Sequence, residues 1–145
     1  MEKTVIRPVE NDEEFQEVLN VRRKVFIEGQ DVSEELEIDG LDNEAEHIVV
    51  KYDDKIVGCA RIRYFENKAK LERIAILEEY RGKGLGKQLT KYLVEHALEK
   101  ADEVIMNAQY YLLDFYKSLG FEPFGQKFME AGIEHIEMRI AKKEG

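Results

Sequence analysis

The sequence predicts one α/β domain, residues 1–145, built on a mixed and mostly antiparallel sheet flanked by helices. Three observations carry that expectation. A length of 145 residues suits a single core. Apolar segments rich in Ile, Val and Tyr, joined by two-residue turns, alternate with segments of helical period. Between the two kinds lies Leu71–Lys87, which reads as a strand, a turn rich in Gly and cations, and the start of an amphipathic helix.

In chain order, Lys3–Glu10 is a first strand in which Pro8 marks an edge or an end. Asn11 followed by Glu14 is a capping-box pattern. Phe15, Val18, Leu19, Arg22, Val25 and Phe26 then recur at helical spacing to about Ile27, and Gly29 is expected to end that helix. A short helix near Ser33–Leu36 has Ser33 as its cap. His47–Tyr52 and Lys55–Phe65 form a hairpin around Asp53-Asp54, and Glu66-Asn67 turns into the strand that begins the central stretch. A helix from about Gly84 to Lys100 crosses to the strand Glu103–Ala108, which should return parallel to its predecessor. Leu112–Leu119 is a short helix stopped by Gly120, and the strands Phe121–Phe128 and Ile133–Ala141 close the chain.

The charge balance narrows the partners. There are 22 basic and 31 acidic residues, a net charge of −9. Nine acids (Glu28, Asp31, Glu34, Glu35, Glu37, Asp39, Asp42, Glu44 and Glu46) lie between Glu28 and Glu46 with no Lys or Arg among them. Sequence-independent nucleic-acid binding, which needs a basic surface, is disfavoured. The acidic segment is either a solvated loop or a rim that attracts a cationic partner or amine. No apolar run reaches the length of a membrane span, and Met1-Glu2-Lys3-Thr4 leads directly into a strand without a secretory signal. A single Cys, Cys59, rules out an internal disulfide and a Cys-rich zinc cage. The cytoplasm is the expected compartment.

The turn Arg81-Gly82-Lys83-Gly84-Leu85-Gly86-Lys87 aims unpaired N–H groups outward at a helix start, with three side-chain cations nearby, and suits an anion such as phosphate. It is not a Walker loop, because only three residues separate Gly82 from Gly86 and Gln88 follows Lys87. A dinucleotide fingerprint would need its third Gly one position later. What remains is Arg-x-x-Gly-x-Gly, Arg81 to Gly86, or a plain corner whose glycines serve tight packing.

Arg81–Gly86 resembles the pyrophosphate signature of the GNAT superfamily of acyl-CoA-dependent N-acyltransferases. Phe115-Tyr116-Lys117-Ser118-Leu119-Gly120-Phe121 and Met106-Asn107-Ala108-Gln109 are similar to further family segments in the same order. Arg23–Gln30, Glu37–Asp42 and Glu130–Met138 resemble the ElaA-like branch. One departure is Gly29, where the resemblance implies an acidic residue.

The resemblance implies a GNAT-like fold and transfer of an acetyl group from acetyl-CoA directly to a primary amine in a ternary complex, without a metal. A CoA-binding module without turnover and an acetyltransferase acting on a protein Lys or N-terminus remain as alternatives. It further implies that Arg81, Gly82, Lys83, Gly84, Leu85, Gly86 and Lys87 hold the pyrophosphate, that Ile74, Ala75 and Ile76 pair with the pantetheine arm, and that Asn107 bonds the same arm. Near Ile76 a backbone N–H would polarise the thioester carbonyl.

Tyr116 is the candidate general acid for the departing thiolate, or else part of an apolar helix face with Phe115 and Leu119. Glu72 is the candidate general base, on the face of Ile74 and Ile76 unless a bulge intervenes, or else a structural partner of Arg61 or Arg63. Tyr110 and Tyr111 are read as packing, and Cys59 as a small buried residue. His47 and His135 sit at strand starts where either could line an acceptor cleft. Arg22 and Arg23 face the acceptor or answer the neighbouring acids. The acceptor is expected to be a small-molecule amine, with neither nucleic acid nor membrane as partner. C-terminal edge strands could pair two copies into a homodimer.

Overall fold

A computed structural model describes residues 3–142, with the side chain of Glu35 excepted. The Met1-Glu2 start and the far end of the 1–145 span lie outside the described residues. Among the described residues, seven strands form one sheet in the order β1-β2-β3-β4-β5-β7-β6. They are β1 (Thr4–Pro8), β2 (Glu46–Tyr52), β3 (Lys55–Phe65), β4 (Lys68–Ile76), β5 (Glu103–Gln109), β6 (Glu122–Glu130) and β7 (Ile133–Ala141). Only the β4–β5 pair is parallel, as the intervening crossover helix requires. The mixed, mostly antiparallel sheet is the one expected from the sequence.

The turns explain the register. Asp53 and Asp54 both adopt positive φ (50° and 68°), as do Ala131 and Gly132 (52° and 76°), which suits tight hairpins of right-handed twist. Helix α1 (Asp12–Arg22) starts at Asn11, whose side chain accepts the Glu14 N–H at 2.9 Å. The Glu14 carboxylate returns the bond one residue before the cap, at the Glu10 N–H. Helix α2 (Glu34–Glu37) is capped by Ser33 as expected.

Two boundaries differ. After α1 the chain widens into a π-helical turn, Arg23–Glu28, and helical turns continue to Gln30. Gly29 keeps a right-handed φ of −83°, so it does not reverse the chain; Asp31 does, at φ 56°. A Cβ on Gly29 would stand 3.0 Å from the Lys24 carbonyl, so Gly is favoured there by crowding in the widened turn.

Ile48, Val49 and Val50 are consecutive and all fully buried, so both faces of the sheet's centre are covered. Helix α1 packs Val18 and Val21 over β3 and β4, while α3 (Leu85–Leu98) lies against β4 and β5. Leu85, Leu89, Leu93 and Ala97 recur every fourth residue on the buried side of α3. Helix α4 (Leu113–Ser118) ends at Gly120, φ 102°.

Candidate active site

The site forms where β4 and β5 stop pairing. Their register runs from Lys68–Glu103 to Leu71–Met106 and goes no further, although β4 continues to Ile76 and β5 to Gln109. A bulge accompanies the parting. Arg61 pairs with Glu72 and Cys59 with Ala75, so two residues of β4, Arg73 and Ile74, oppose Ala60 alone. Arg73 sits at φ 56°, a conformation costing a non-Gly residue about 1–2 kcal/mol. The bulge changes one expectation: Glu72 shares its face with Ala75, not with Ile74 and Ile76.

The parted strands open into a cleft of about 660 Å³, within the range of small-ligand sites. Leu71, Glu72, Ile74, Ala75 and Ile76 line it from β4, and Met106, Asn107, Ala108 and Gln109 from β5. Tyr116 and Phe115 reach it from α4. The glycine turn closes one end through Arg81, Gly82, Gly84, Leu85, Gly86 and Lys87.

Gly84, at φ 79°, caps α3 without a side-chain hydrogen bond, and no acid occupies the first turn. The first intrahelical turn closes with Gln88 N–H on the Gly84 carbonyl at 3.1 Å. The N–H groups of Leu85, Gly86 and Lys87 therefore precede the helical ladder and suit an anion. A Cβ at Gly82 or Gly84 would meet nothing within 4 Å, so both glycines serve their left-handed φ (82° and 79°) rather than tight internal packing. That weakens the plain-corner reading.

Two cations of the turn depart from the expected arrangement. Lys83 does not line the cleft; its ammonium lies 5.4 Å from the Tyr52 ring centroid. Arg81 lines the cleft, but its Nε donates to the Ile76 carbonyl at 3.0 Å, tying the turn back to the end of β4.

Tyr116 is 5% exposed and touches Phe115 and Phe121 edge-on, with ring centroids 5.1 and 5.9 Å away. Burial pushes its phenol up to about 12. Thus it is both a core aromatic and a residue of the cleft.

Glu72 is bound by cations. Arg61 Nη2 donates to its Oε1 at 2.9 Å, Arg63 bonds both oxygens, and Lys70 Nζ lies 3.6 Å from Oε2. Burial alone would raise its pKa, but the Arg63 hydrogen bond and the charges of Arg61, Arg63 and Lys70 outweigh it and hold the carboxyl below its ordinary value. The structural pairing read as the alternative for Glu72 is present.

The acidic segment is neither a free loop nor simply a rim. Arg22, 1% exposed, donates to both oxygens of Glu37 and to Asp42 Oδ1 at 2.8 Å. Arg61 takes Asp39 in a two-pronged bond (2.9 and 2.8 Å) and shares Asp42 at 3.0 Å. Arg73 Nε donates to Glu37 Oε2 at 2.7 Å. Arg22 thus answers the acids and does not line the cleft, and the exposed Arg23 pairs with Glu34 at 2.8 Å.

The two histidines separate. His135, 8% exposed, lines the cleft, and its Nδ1 donates to the Ile133 carbonyl at 2.7 Å. His47 does not line it; its Nε2 lies 2.9 Å from the Asp42 carbonyl and burial lowers its pKa. Cys59 is fully buried and its thiol is pushed up to about 12 by burial, which suits packing and not nucleophilic attack.

Several cleft residues carry no expected role. Tyr111, read as packing, is 72% exposed and lines the cleft. Gln30 and Gln109 exchange amide hydrogen bonds at 3.2 and 2.9 Å, joining the end of the first helical run to the end of β5. Both lie in segments that carry the family resemblance, which is the sequence signal that could have marked them. Glu130 lines the same region, with Oε2 3.5 Å from Asn107 Nδ2.

The fold as a whole is similar to that of solved acetyltransferases. A GNAT family acetyltransferase from Elizabethkingia anophelis, crystallised with acetyl-CoA bound, has a similar fold at a TM-score of 0.73 and 20% identity, covering 96% of this chain and 98% of that one. The family model described as "Acetyltransferase (GNAT) domain" matches residues 7–142, and the chain belongs to that family. Accordingly it is an acyltransferase. An uncharacterized N-acetyltransferase of Bacillus subtilis, YjcF, is 41% identical over 130 residues, covering 88% of this chain and 93% of its own. Escherichia coli ElaA is 30% identical over 127 residues, 83% of each chain, and its crystal structure aligns at a TM-score of 0.81 over 96% of this chain and 99% of that one.

Proposed function

We propose that residues 1–145 act as one domain that transfers the acetyl group of acetyl-CoA directly to a primary amine of a small molecule, in a ternary complex in the cytoplasm. The carrying observation is the parting of β4 from β5 into a cleft that runs from the glycine turn to Tyr116. In support, the family uses acyl-CoA, and the Elizabethkingia relative was crystallised with acetyl-CoA.

In this reading the N–H groups at the start of α3, with Arg81 and Lys87 beside them, hold the pyrophosphate. Ile74, Ala75 and Ile76, beyond the end of the β4–β5 ladder, lend the β5-facing edge of β4 to the pantetheine arm, and Asn107 bonds it from β5. The amine nitrogen attacks the thioester carbon, the C–S bond breaks, and one amine proton ends on the departing sulfur.

Tyr116 remains protonated because burial raises its pKa to about 12. Against a thiol of ordinary pKa near ~8.5, full proton transfer from that phenol is uphill. Its part is to donate a hydrogen bond to the thiolate as charge develops. Glu72, ionised at rest, attracts the ammonium, takes its first proton directly or through water and releases it to solvent; Glu130 adds negative charge in the same cleft.

Initial rates with both substrates varied test the order of events. Intersecting double-reciprocal lines are expected. Parallel lines would mean an acyl-enzyme and would reject direct transfer.

A further inference from the structure

From the bulge and its bonds we infer that Arg73 is a positioning residue: its ties to the acidic segment hold β4 in the bulged form that opens the acyl-donor slot. The inference rests on the reading that the donor lies along β4.

Arg73 is the one residue of β4 with a positive φ, 56°, and the β4–β5 ladder ends two residues before it, at Leu71–Met106. A long-chain L residue does not favour that conformation, so something must hold it there. The side chain supplies the hold. Its Nε donates to Glu37 Oε2 at 2.7 Å, and its Nη2 donates to the carbonyls of Glu37 and Leu36 at 2.9 and 3.1 Å and to Asp39 Oδ2 at 3.3 Å.

Those acceptors are themselves fixed. Glu37 is 3% exposed and bound through both oxygens by Arg22, and Asp39 is bound through both oxygens by Arg61. The acidic segment is therefore a rigid anchor. The bulge hangs from it by a fork whose planar geometry a lysine cannot reproduce. On the backbone side, Cys59 Sγ donates to the Arg73 carbonyl at 3.6 Å, so that carbonyl is directed toward β3.

Two substitutions separate this role from a ligand contact and from plain stability. Arg73→Ala removes the tether and leaves the φ penalty; Arg73→Gly removes the tether and the penalty together. Acetyl-CoA is titrated calorimetrically into the full chain, with thermal unfolding recorded for each variant. Arg73→Ala should weaken binding at least about tenfold, and Arg73→Gly should recover most of that loss.

Equal losses in the two variants would assign Arg73 to direct ligand contact and overturn the inference. Wild-type affinity in Arg73→Ala, whatever its melting temperature, would overturn it too. If Arg73→Ala does not fold, Arg73→Lys takes its place, expected to bind more weakly than Arg73→Gly; the reverse order would sink the idea. Failure of the wild-type chain to bind acetyl-CoA would instead count against the proposed function.

Discussion

Arg22 and Glu37 face each other in the interior as a two-pronged ion pair, Nε on Oε1 at 2.7 Å and Nη2 on Oε2 at 3.0 Å. The pair joins the end of α1 to the acidic segment, and through Arg73 and Asp42 it extends to the sheet. Buried pairs of this kind are costly to break singly, since each partner leaves a stranded charge. Glu37→Ala, which strands both Arg22 and Arg73, should destabilise the chain by about 3–5 kcal/mol in urea unfolding. A loss under about 1 kcal/mol would mean that water reaches the arginines.

The same network sets the response to acid. Arg61 holds the Asp39 carboxyl well below the ordinary carboxylate range; Asp42 and Glu72 are likewise lowered, with arginine bonds outweighing their burial. At Glu14, bonding by Arg7 brings the carboxyl down to about 2. Depressed folded-state values mean that the stabilisation is complete above the unfolded pKa and is lost as pH falls through the folded one. Unfolding free energy should therefore be nearly level from about pH 8 to 7, decline modestly below about pH 6.5 as the unfolded chain protonates the buried His47, and fall steeply below about pH 4. Circular dichroism melts across that range check it.

For the glycine turn, Gly86→Val is the cleaner test because Gly86 lies within α3 and the nearest outside atom to an added Cβ is Phe115 Cζ at 4.0 Å. The branched side chain would crowd the N–H groups of the first turn while leaving the fold. Acetyl-CoA affinity should drop at least about tenfold, or about 1.4 kcal/mol. With Gly84→Val added, strain at φ 79° should also lower the melting temperature.

At the reacting end, Tyr116→Phe keeps the ring contacts to Phe115 and Phe121 and removes only the hydroxyl. We expect kcat to fall about 10- to 100-fold with little change in KM for acetyl-CoA. An unchanged kcat would leave Tyr116 as a packing residue.

Because cations hold Glu72 ionised, the acid limb of a pH–rate profile should report the amine acceptor and not Glu72. Exchanging acceptors of different basicity should move that limb. A limb that stays fixed for every amine and vanishes in Glu72→Gln would restore Glu72 as the titrating base.

How much of this was legible in the sequence follows from the range of the interactions. Asp53-Asp54, Asn11 with Glu14, and the glycine turn act over a few residues, so they read directly. The bulge at Arg73 does not, because it is held by Glu37, 36 residues earlier, and no Gly marks the positive φ. Likewise, the acids between Glu28 and Glu46 look like a solvated run until Arg22, Arg61 and Arg73 come together around Glu37, Asp39 and Asp42. The place of Lys83 off the cleft lining was hidden for a simpler reason: a flexible stem lets its ammonium sit over Tyr52.

The central claim is transfer of an acetyl group to an amine, and following free-thiol release from acetyl-CoA across small amines, polyamines and amino sugars tests it most directly. The account predicts thiol release with at least one acceptor, matched mole for mole by an acetylated amine in mass spectra. Tight acetyl-CoA binding with no release above the buffer rate for any amine in the panel would contradict transfer to a small molecule, and would favour a protein acceptor or a binding module.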